Sequence, residues 1–179
     1  CPVWWISSRK FSSTWWSRHP CPAGTAGKRA AGLRLIEGNF DHRRYDYSPF
    51  FVSRFVGLCS PTSPYRVFRR LRDTLQAPLI LRESGSGTRD IFEGECRAHN
   101  LAVTDYVSLC EIEHIPTLLG LVAAGKGITF AYEAAARSLL AQNRLQMMEL
   151  EDLQLERPFT LSACRAAPAP SFWPGWPGR

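Results

Sequence analysis

The sequence predicts an α/β fold in which a mostly parallel sheet is flanked by helices. From residue 33 onward, short apolar runs of strand length alternate with segments of helical period. The connections between these segments are short, and Gly, Pro and Ser punctuate them. A helix that joins two parallel strands makes a right-handed crossover, so this alternation favours βαβ units.

The first predicted elements are strands separated by polar connections. Leu33–Ile36 is a short apolar run, and Glu37–Pro49 has the composition of a polar connection. Val67–Leu75 is predicted to form a short helix, and Pro78–Arg82 the next strand. Between them, Phe51–Ser60 is a predicted strand, and its candidate buried residues are Phe51, Phe55, Val56 and Leu58.

Helices and strands alternate regularly in the second half. A helix is predicted over Thr88–His99, with Asn100 as the residue that follows its C-terminus. The clearest helix begins at Ile115 and is stopped by Gly125, because its apolar residues repeat at i, i+3, i+4, i+7 and i+8 and Pro116 fits its first turn. The other predicted elements are the strands Tyr106–Ile112, Gly127–Tyr132, Gln146–Leu150 and Arg157–Ala163 and the helix Glu133–Gln142.

Charge is distributed unevenly along the 179 residues. The formal net charge is +6, but residues 1–36 hold six Lys or Arg and no acid, and residues 157–179 hold three and none. The residues between carry 13 basic and 16 acidic side chains. The body of the chain is therefore not basic, and its charge does not favour nucleic-acid binding.

The two ends differ from the middle in composition. They show neither helical nor strand periodicity, and they hold all six Trp, at positions 4, 5, 15, 16, 173 and 176. The chain begins at Cys1, and its only Met are Met147 and Met148. We interpret the chain as a fragment whose residues 1–31 and terminal tail are irregular, and a reading-frame shift at each end is one hypothesis for their composition.

No segment has the apolar core of a secretory signal or the length of a membrane span, so we expect a soluble, cytoplasmic protein that does not associate with membranes. The six Cys and four His are scattered, which does not favour a metal site, and no cofactor is predicted. An even number of Cys leaves disulfides open. However, Cys59, Cys96 and Cys110 fall inside apolar patterns, where reduced thiols pack as small hydrophobes.

The strongest binding feature is the loop Ser84–Thr88, which follows a strand and opens a helix. Its glycines permit positive φ, and its hydroxyl groups and helix-end amides can hold an anionic small molecule. The alternative is a plain capped turn with Ser86 or Thr88 at the N-cap. The loop matches no dinucleotide or P-loop motif, because Asp90 replaces the last glycine and the P-loop Lys is missing.

Two more corners follow predicted strands, at Glu113–Ile115 and at Tyr132–Glu133. Ligands bind at the carboxyl ends of strands in α/β sheets, so we expect these corners to meet the Ser84–Thr88 loop at one edge. Glu111, Glu113 and His114 lie close together in sequence, but a solvated strand end explains them and no reaction is indicated. Four arginines at helical spacing are interpreted as a solvated face, namely Arg66, Arg69, Arg70 and Arg72.

With these elements placed, the chain from about Gly32 to Thr160 resembles the effector-binding domain of LysR-type transcriptional regulators. The order and spacing of several segments together carry the resemblance. These segments are LRLIEGNFD at 33–41, FVGLCSPTSP at 55–64, LILRESGSGTRDIFE at 79–93, IPTLLGLVAAGKGITFAYEAAAR at 115–137 and LEDLQLERPF at 150–159.

The resemblance implies two Rossmann-like lobes, as in type II periplasmic binding proteins, with an effector held between them. Residues 32–51 would be a remnant of the first lobe and the hinge, 52–158 the second lobe, and 159–179 a return strand and irregular tail. The effector contacts that the resemblance implies are Ser84, Gly85, Ser86, Gly87, Thr88, Arg89, Glu113, His114, Ile115, Tyr132 and Glu133.

The same resemblance implies a sensor that is not an enzyme. Its partners would be a small-molecule effector and further copies of itself, as a dimer or tetramer in the parent protein. DNA would be bound only through a winged helix-turn-helix, which this chain lacks. The alternative is a solute-binding protein of similar fold that serves a transporter.

Overall fold

The computed structural model describes residues 34–37 and 45–164. The predictions for residues 1–31 and for the tail after residue 164 lie outside this part of the chain. In chain order the strands are β1 (Arg34–Glu37), β2 (Tyr45–Cys59), β3 (Pro78–Leu81), β4 (Ser108–Glu111), β5 (Thr129–Tyr132), β6 (Gln146–Met147) and β7 (Leu155–Cys164). The helices are α1 (Gly87–Ala98), α2 (Ile115–Ala123) and α3 (Glu133–Ala141).

The described residues divide into two compact units. We call residues 55–154 the α/β unit, and we call residues 34–37, 45–54 and 155–164 the strand unit. The long strand β2 contributes to both. Among the described residues, no helix has the length and apolar character that crossing a bilayer requires.

The strand unit is built from antiparallel pairing. Strand β1 pairs with β7, with Arg34 opposite Ser162, and β7 lies next to β2 in the sheet. The rings of Phe51 and Phe159 stack with their centroids 4.7 Å apart. The prediction of a polar connection up to Pro49 was wrong from Tyr45 onward. Pairing along an extended ladder outweighs the local preference of polar residues for loops.

The α/β unit combines parallel and antiparallel pairs. Strand β3 is parallel to β4, and a parallel bridge joins Leu79 to Ile128, just before β5. Strands β5 and β6 both pair with β2 in the antiparallel direction. The expected mostly parallel sheet is therefore only partly observed. Helix α1 crosses from β3 to β4, and such a crossover makes the two strands parallel. Several elements separate β2 from β5 in the chain, so no single crossover helix requires these two strands to be parallel.

The three helices match the predicted ones within a few residues. Asn100 has a φ of 57° after α1, as a residue beyond a helix C-terminus often does, and Gly125 has a φ of 75° after α2. These two positions confirm that both helices end where the sequence predicts.

The predicted helix over Val67–Leu75 was wrong, because two short 3₁₀ turns, Pro64–Val67 and Leu71–Gln76, occupy this region. Side chains take the backbone donors that a continuous helix would need. The Leu71 N–H donates to Oδ1 of Asp152 over 2.9 Å, and the Arg70 N–H donates to Asp73 over 3.1 Å. Such local and long-range acceptors compete with helix formation.

The core of the α/β unit lies between the sheet and its helices. Phe92 of α1 and Phe130 of β5 stack with their ring centroids 4.1 Å apart. Of the candidate buried residues on β2, Phe55 and Leu58 are buried, whereas Phe51 and Val56 are half-buried. A cluster of eight buried residues completes this core: Leu58, Ile80, Leu118, Leu119, Val122, Ala131, Ala136 and Leu145.

Three cysteines with described side chains are free thiols. Cys59 and Cys96 are buried as expected, and burial raises the pKa of Cys59 to about 11 and that of Cys96 to about 12. The prediction that Cys110 packs as a hydrophobe was wrong, because it lies exposed on β4, all four residues of which are exposed. The described side chains do not include those of Cys1, Cys21 and Cys164.

Candidate functional site

In the α/β unit, β3, β4 and β5 each lead into a strand-to-helix corner at their carboxyl ends. Strands β3 and β4 run parallel, and the segment entering β5 is parallel to β3. Their carboxyl ends therefore point to the same edge. The Ser84–Thr88 loop, the Glu113–Ile115 corner and the Tyr132–Glu133 corner each follow one of these carboxyl ends.

The Ser84–Thr88 loop is a tight turn that leads directly into α1. Gly85 has a φ of +84°, and the Ser86 N–H donates to the Glu83 carbonyl over 3.2 Å. Ser86 occupies the N-cap position and is only 7% exposed, but its side chain makes no capping hydrogen bond. The first N–H groups of α1, from Gly87 to Arg89, therefore lack a side-chain cap of the kind that the plain-turn alternative requires.

The second corner joins β4 to α2. The Ile112 N–H donates to the Leu81 carbonyl over 2.9 Å, which ties this corner to the end of β3. His114 is the N-cap residue of α2, and its Nδ1 lies 2.9 Å from the hydroxyl of Thr117. His114 and Thr117 are both exposed, as is Glu113.

Sequence reasoning missed Thr117. It brings a hydroxyl to the first turn of α2, three residues after His114. Side chains three residues apart are neighbours on a helix, and this spacing was the available signal.

The third corner is the junction of β5 and α3. Tyr132 is buried at the end of β5 and serves as the N-cap residue of α3. Its ring packs edge-on against Phe55, which lies opposite it on β2, with the centroids 5.4 Å apart. Glu133 begins α3 and is half-buried.

Arg89 differs from the other predicted site residues because its guanidinium is directed into the protein. Its side chain is 9% exposed, and its Nε donates to Glu93 over 2.7 Å. Its Nη1 donates to Glu111 over 2.6 Å and to the Arg82 carbonyl over 3.2 Å. Burial alone lowers the pKa of Arg89, but the hydrogen bonds and charges of Glu111 and Glu93 raise it above its ordinary value.

A second ion pair lies at the start of the same loop. Nε and Nη2 of Arg82 each donate to Glu83 over 2.8 Å in a bidentate arrangement. Burial alone raises the pKa of Glu83, but hydrogen bonds from Arg82 and the backbone outweigh it and lower the pKa. Arg97 of α1 also approaches Glu93 at 3.9 Å. The network therefore contains three arginines and three glutamates, and its charges balance.

The arginines of residues 66–72 form no comparable network. Arg66, Arg69, Arg70 and Arg72 are all exposed, and Arg69 pairs with the exposed Glu149. These observations agree with a solvated face. Within residues 34–37 and 45–164, no group of three or more His, Cys, Asp or Glu side chains is placed to hold a metal ion.

Two solved structures that share this fold contain a bound small molecule. The regulatory domain of CcmR from Synechocystis PCC6803, solved in complex with 2-PG, has a TM-score of 0.65 at 17% identity, over 78% of this chain and 67% of that one. The effector-binding domain of QuiR, solved with shikimate, has a TM-score of 0.60 at 17% identity, over 78% of this chain and 65% of that one. At this identity the likeness shows the fold, which is the periplasmic-binding-protein-like α/β fold of LysR regulatory domains.

A sequence relative and a family match lead to the same family. An HTH-type transcriptional regulator of Methanocaldococcus jannaschii is 24% identical, over 76% of this chain and 48% of its own length. The chain thus spans about half the length of this curated relative. The LysR substrate binding domain family matches residues 31–171. The predicted resemblance is confirmed, and the chain belongs to the LysR substrate-binding domain family of transcriptional regulators.

Proposed function

We propose that this chain senses a small anionic metabolite on behalf of a LysR-type regulator and so controls transcription from DNA. The observation that carries the proposal is the α1 N-terminus, whose N-cap Ser86 makes no capping hydrogen bond. An uncapped helix start has N–H donors available and a favourable dipole for negative charge.

The residues around α1 favour an anion over a cation. The N–H groups of Gly87, Thr88 and Arg89 begin the helix, and hydroxyl groups from Ser84, Ser86 and Thr88 add donors. Asp90 in the first turn is exposed and competes for the same dipole. A ligand must therefore carry enough negative charge to bind the backbone N–H groups despite the carboxylate of Asp90.

The other two corners complete the proposed contact set. His114 and Thr117 already lie within hydrogen-bonding distance of each other, so one ligand oxygen can meet both side chains. The His114 ring and the Thr117 hydroxyl are both groups that can donate a hydrogen bond to such an oxygen. Glu113, Ile115, Tyr132 and Glu133 would line the remaining part of the site. CcmR bound to 2-PG and QuiR bound to shikimate support a small-molecule ligand for this fold.

The regulatory output requires more than this domain. We propose that the whole protein acts in the cytoplasm as a homo-oligomer, that it binds DNA through a helix-turn-helix, and that it performs no catalysis. The protein would exist in two conformations, and the ligand would shift the equilibrium toward the conformation that it binds more tightly. The similarity to an HTH-type regulator supports this output over delivery of a solute to a transporter.

Calorimetric titration of the chain with 2-PG, shikimate and inorganic phosphate tests the proposal. For a probe that binds, Ser86→Ala and Thr88→Val should each weaken binding by about tenfold, because each removes a donor to a charged group. The melting temperature should change little.

Thr104→Val is the matched control, since Thr104 is exposed on the 3₁₀ turn Val103–Asp105, away from the three corners. It should leave the affinity unchanged. Equal affinity of the wild type, Ser86→Ala and Thr88→Val would refute the assignment of the loop as the anion site.

A further inference from the structure

The buried guanidinium of Arg89 connects three segments around the Ser84–Thr88 loop. Arg82, whose carbonyl it binds, directly follows β3 and precedes the loop. Glu93 lies one turn further along α1, and Glu111 is the last residue of β4. One side chain therefore ties the start of the loop, the helix after it and the neighbouring strand together.

We propose that Arg89 is a positioning residue for the Ser84–Thr88 loop: its guanidinium holds the first turn of α1 against the ends of β3 and β4 and does not contact the ligand. The proposal rests on the proposed function only in treating this loop as the ligand-binding one.

The charges around Arg89 explain why it is a poor contact for an anion. Two carboxylates, at 2.7 Å and 2.6 Å, already surround one guanidinium, so this cluster has no positive charge to spare. An anionic ligand at this side chain, which is 9% exposed, would meet the negative charges of both carboxylates as well as the guanidinium. Repulsion from these carboxylates makes such a contact unfavourable.

The Ser84–Thr88 loop has few interactions of its own that would fix its conformation. Between Glu83 and Thr88 the one backbone hydrogen bond in the described structure runs from the Ser86 N–H to the Glu83 carbonyl, over 3.2 Å. Gly85 and Gly87 lose more conformational entropy on ordering than other residues do. A turn with so few contacts of its own depends on side chains at its two ends, and Arg89 joins them.

Amide hydrogen exchange without ligand measures this role directly. In Arg89→Gln, the hydrogen-bonded amides of Ser86 and Asp90 should exchange about tenfold faster or more, as expected when bonds to charged groups are lost. The amides of α3 should keep their rates. Arg89→Lys should recover part of the protection, because an ammonium keeps the charge but lacks the planar fork of the guanidinium.

Arg97→Gln is the matched control, because it makes the same change on the same helix at a side chain that is 70% exposed, and its exposed ion pair with Glu93, at 3.9 Å, contributes little stability. It should leave the loop amides unchanged. Unchanged exchange of Ser86 and Asp90 in Arg89→Gln would overturn the proposal, and so would an equal acceleration in α3, which would show a general loss of stability.

Glu111→Ala gives a second test that leaves Arg89 in place and paired with Glu93. Positioning predicts faster exchange of Ser86 and weaker binding of any anion that binds the wild type. A direct contact predicts the opposite, since removing a carboxylate frees the guanidinium for the anion and strengthens binding. Glu95→Ala on α1 controls for the loss of one negative charge.

Different results would refute the anion-sensing function and the positioning role of Arg89. If none of the three probes binds but the exchange pattern is as expected, the anion-sensing function is refuted and the role of Arg89 in holding the loop stands. If Glu111→Ala binds a probe more tightly than the wild type, the positioning role is refuted and the sensing function stands.

Discussion

Strand β4 and the segment that enters β5 both run parallel to β3, yet strands β4 and β5 differ completely in burial. All four residues of β5 (TFAY) are buried, whereas all four of β4 (SLCE) are exposed. Both have apolar members, so composition alone does not separate them. β5 also pairs with β2, while among the described strands β4 pairs only with β3. Of the two strands, the one that pairs with β2 is the buried one.

The largest expected effect compares a ring in β5 with an apolar side chain in β4. Phe130→Ala should lower the free energy of unfolding by about 3–5 kcal/mol, because it removes a fully packed ring that stacks on Phe92. Leu109→Ala on β4, where the residue is 39% exposed, should cost less than about 1 kcal/mol. Urea unfolding measures both, and similar losses would contradict the difference between the strands.

A smaller effect concerns the close approach of the segment before β5 to β3. A Cβ at Gly127 would overlap the carbonyl oxygen of Pro78, which accepts the Ile128 N–H over 2.9 Å. Gly127→Ala should therefore lower the free energy of unfolding by about 1–3 kcal/mol through overpacking.

Gly120→Ala is the contrasting variant. Gly120 lies on α2, and a Cβ added there would have open space around it. The same change should therefore raise the free energy of unfolding by about 0.5–1 kcal/mol, because Ala has a higher helix propensity than Gly. Loss of stability in both variants would show that the contact with Pro78 is not the cause.

Thiol alkylation distinguishes the exposed strand β4 from buried positions without changing the sequence. At about pH 8, alkylation followed by peptide mapping should modify Cys110 and spare Cys59 and Cys96 in the folded chain, because thiolates react and burial suppresses them. Modification of the three at equal rates would contradict the exposure of β4.

The same pKa shifts set a pH dependence of stability. Burial raises the pKa of Cys59 from 9.0 to about 11, so between these values the unfolded thiol has lost its proton and the folded one has not. The unfolded state then binds fewer protons, and stability falls as the pH rises through this window. Urea unfolding at several pH values, with Cys59→Ser for comparison, measures the contribution.

Several features of the site could be predicted because their signals are local. The Ser84–Thr88 loop is visible as alternating Ser and Gly after an apolar run, and α2 as apolar residues of helical period. The three corners follow from the order of strands and helices, since parallel strands end at one edge.

Other features depend on residues far apart in the chain. The contact of Arg89 with Glu111 spans 22 positions, and that of Leu71 with Asp152 spans 81. No periodic pattern in the sequence predicts either contact. The family resemblance implied Arg89 as an effector contact, whereas its bonds to Glu93 and Glu111 support the proposed positioning role.

The sequence by itself determined the α/β alternation, the helices α1, α2 and α3, the Ser/Gly loop and the LysR family, because neighbouring residues carry these patterns. Only the tertiary structure decided that β2 begins at Tyr45, that β4 lies exposed while β5 is buried, and that Arg89 points inward. The physical reason is that strand pairing and buried charge pairs join distant segments. Their energies depend on where those segments meet, which local composition does not specify.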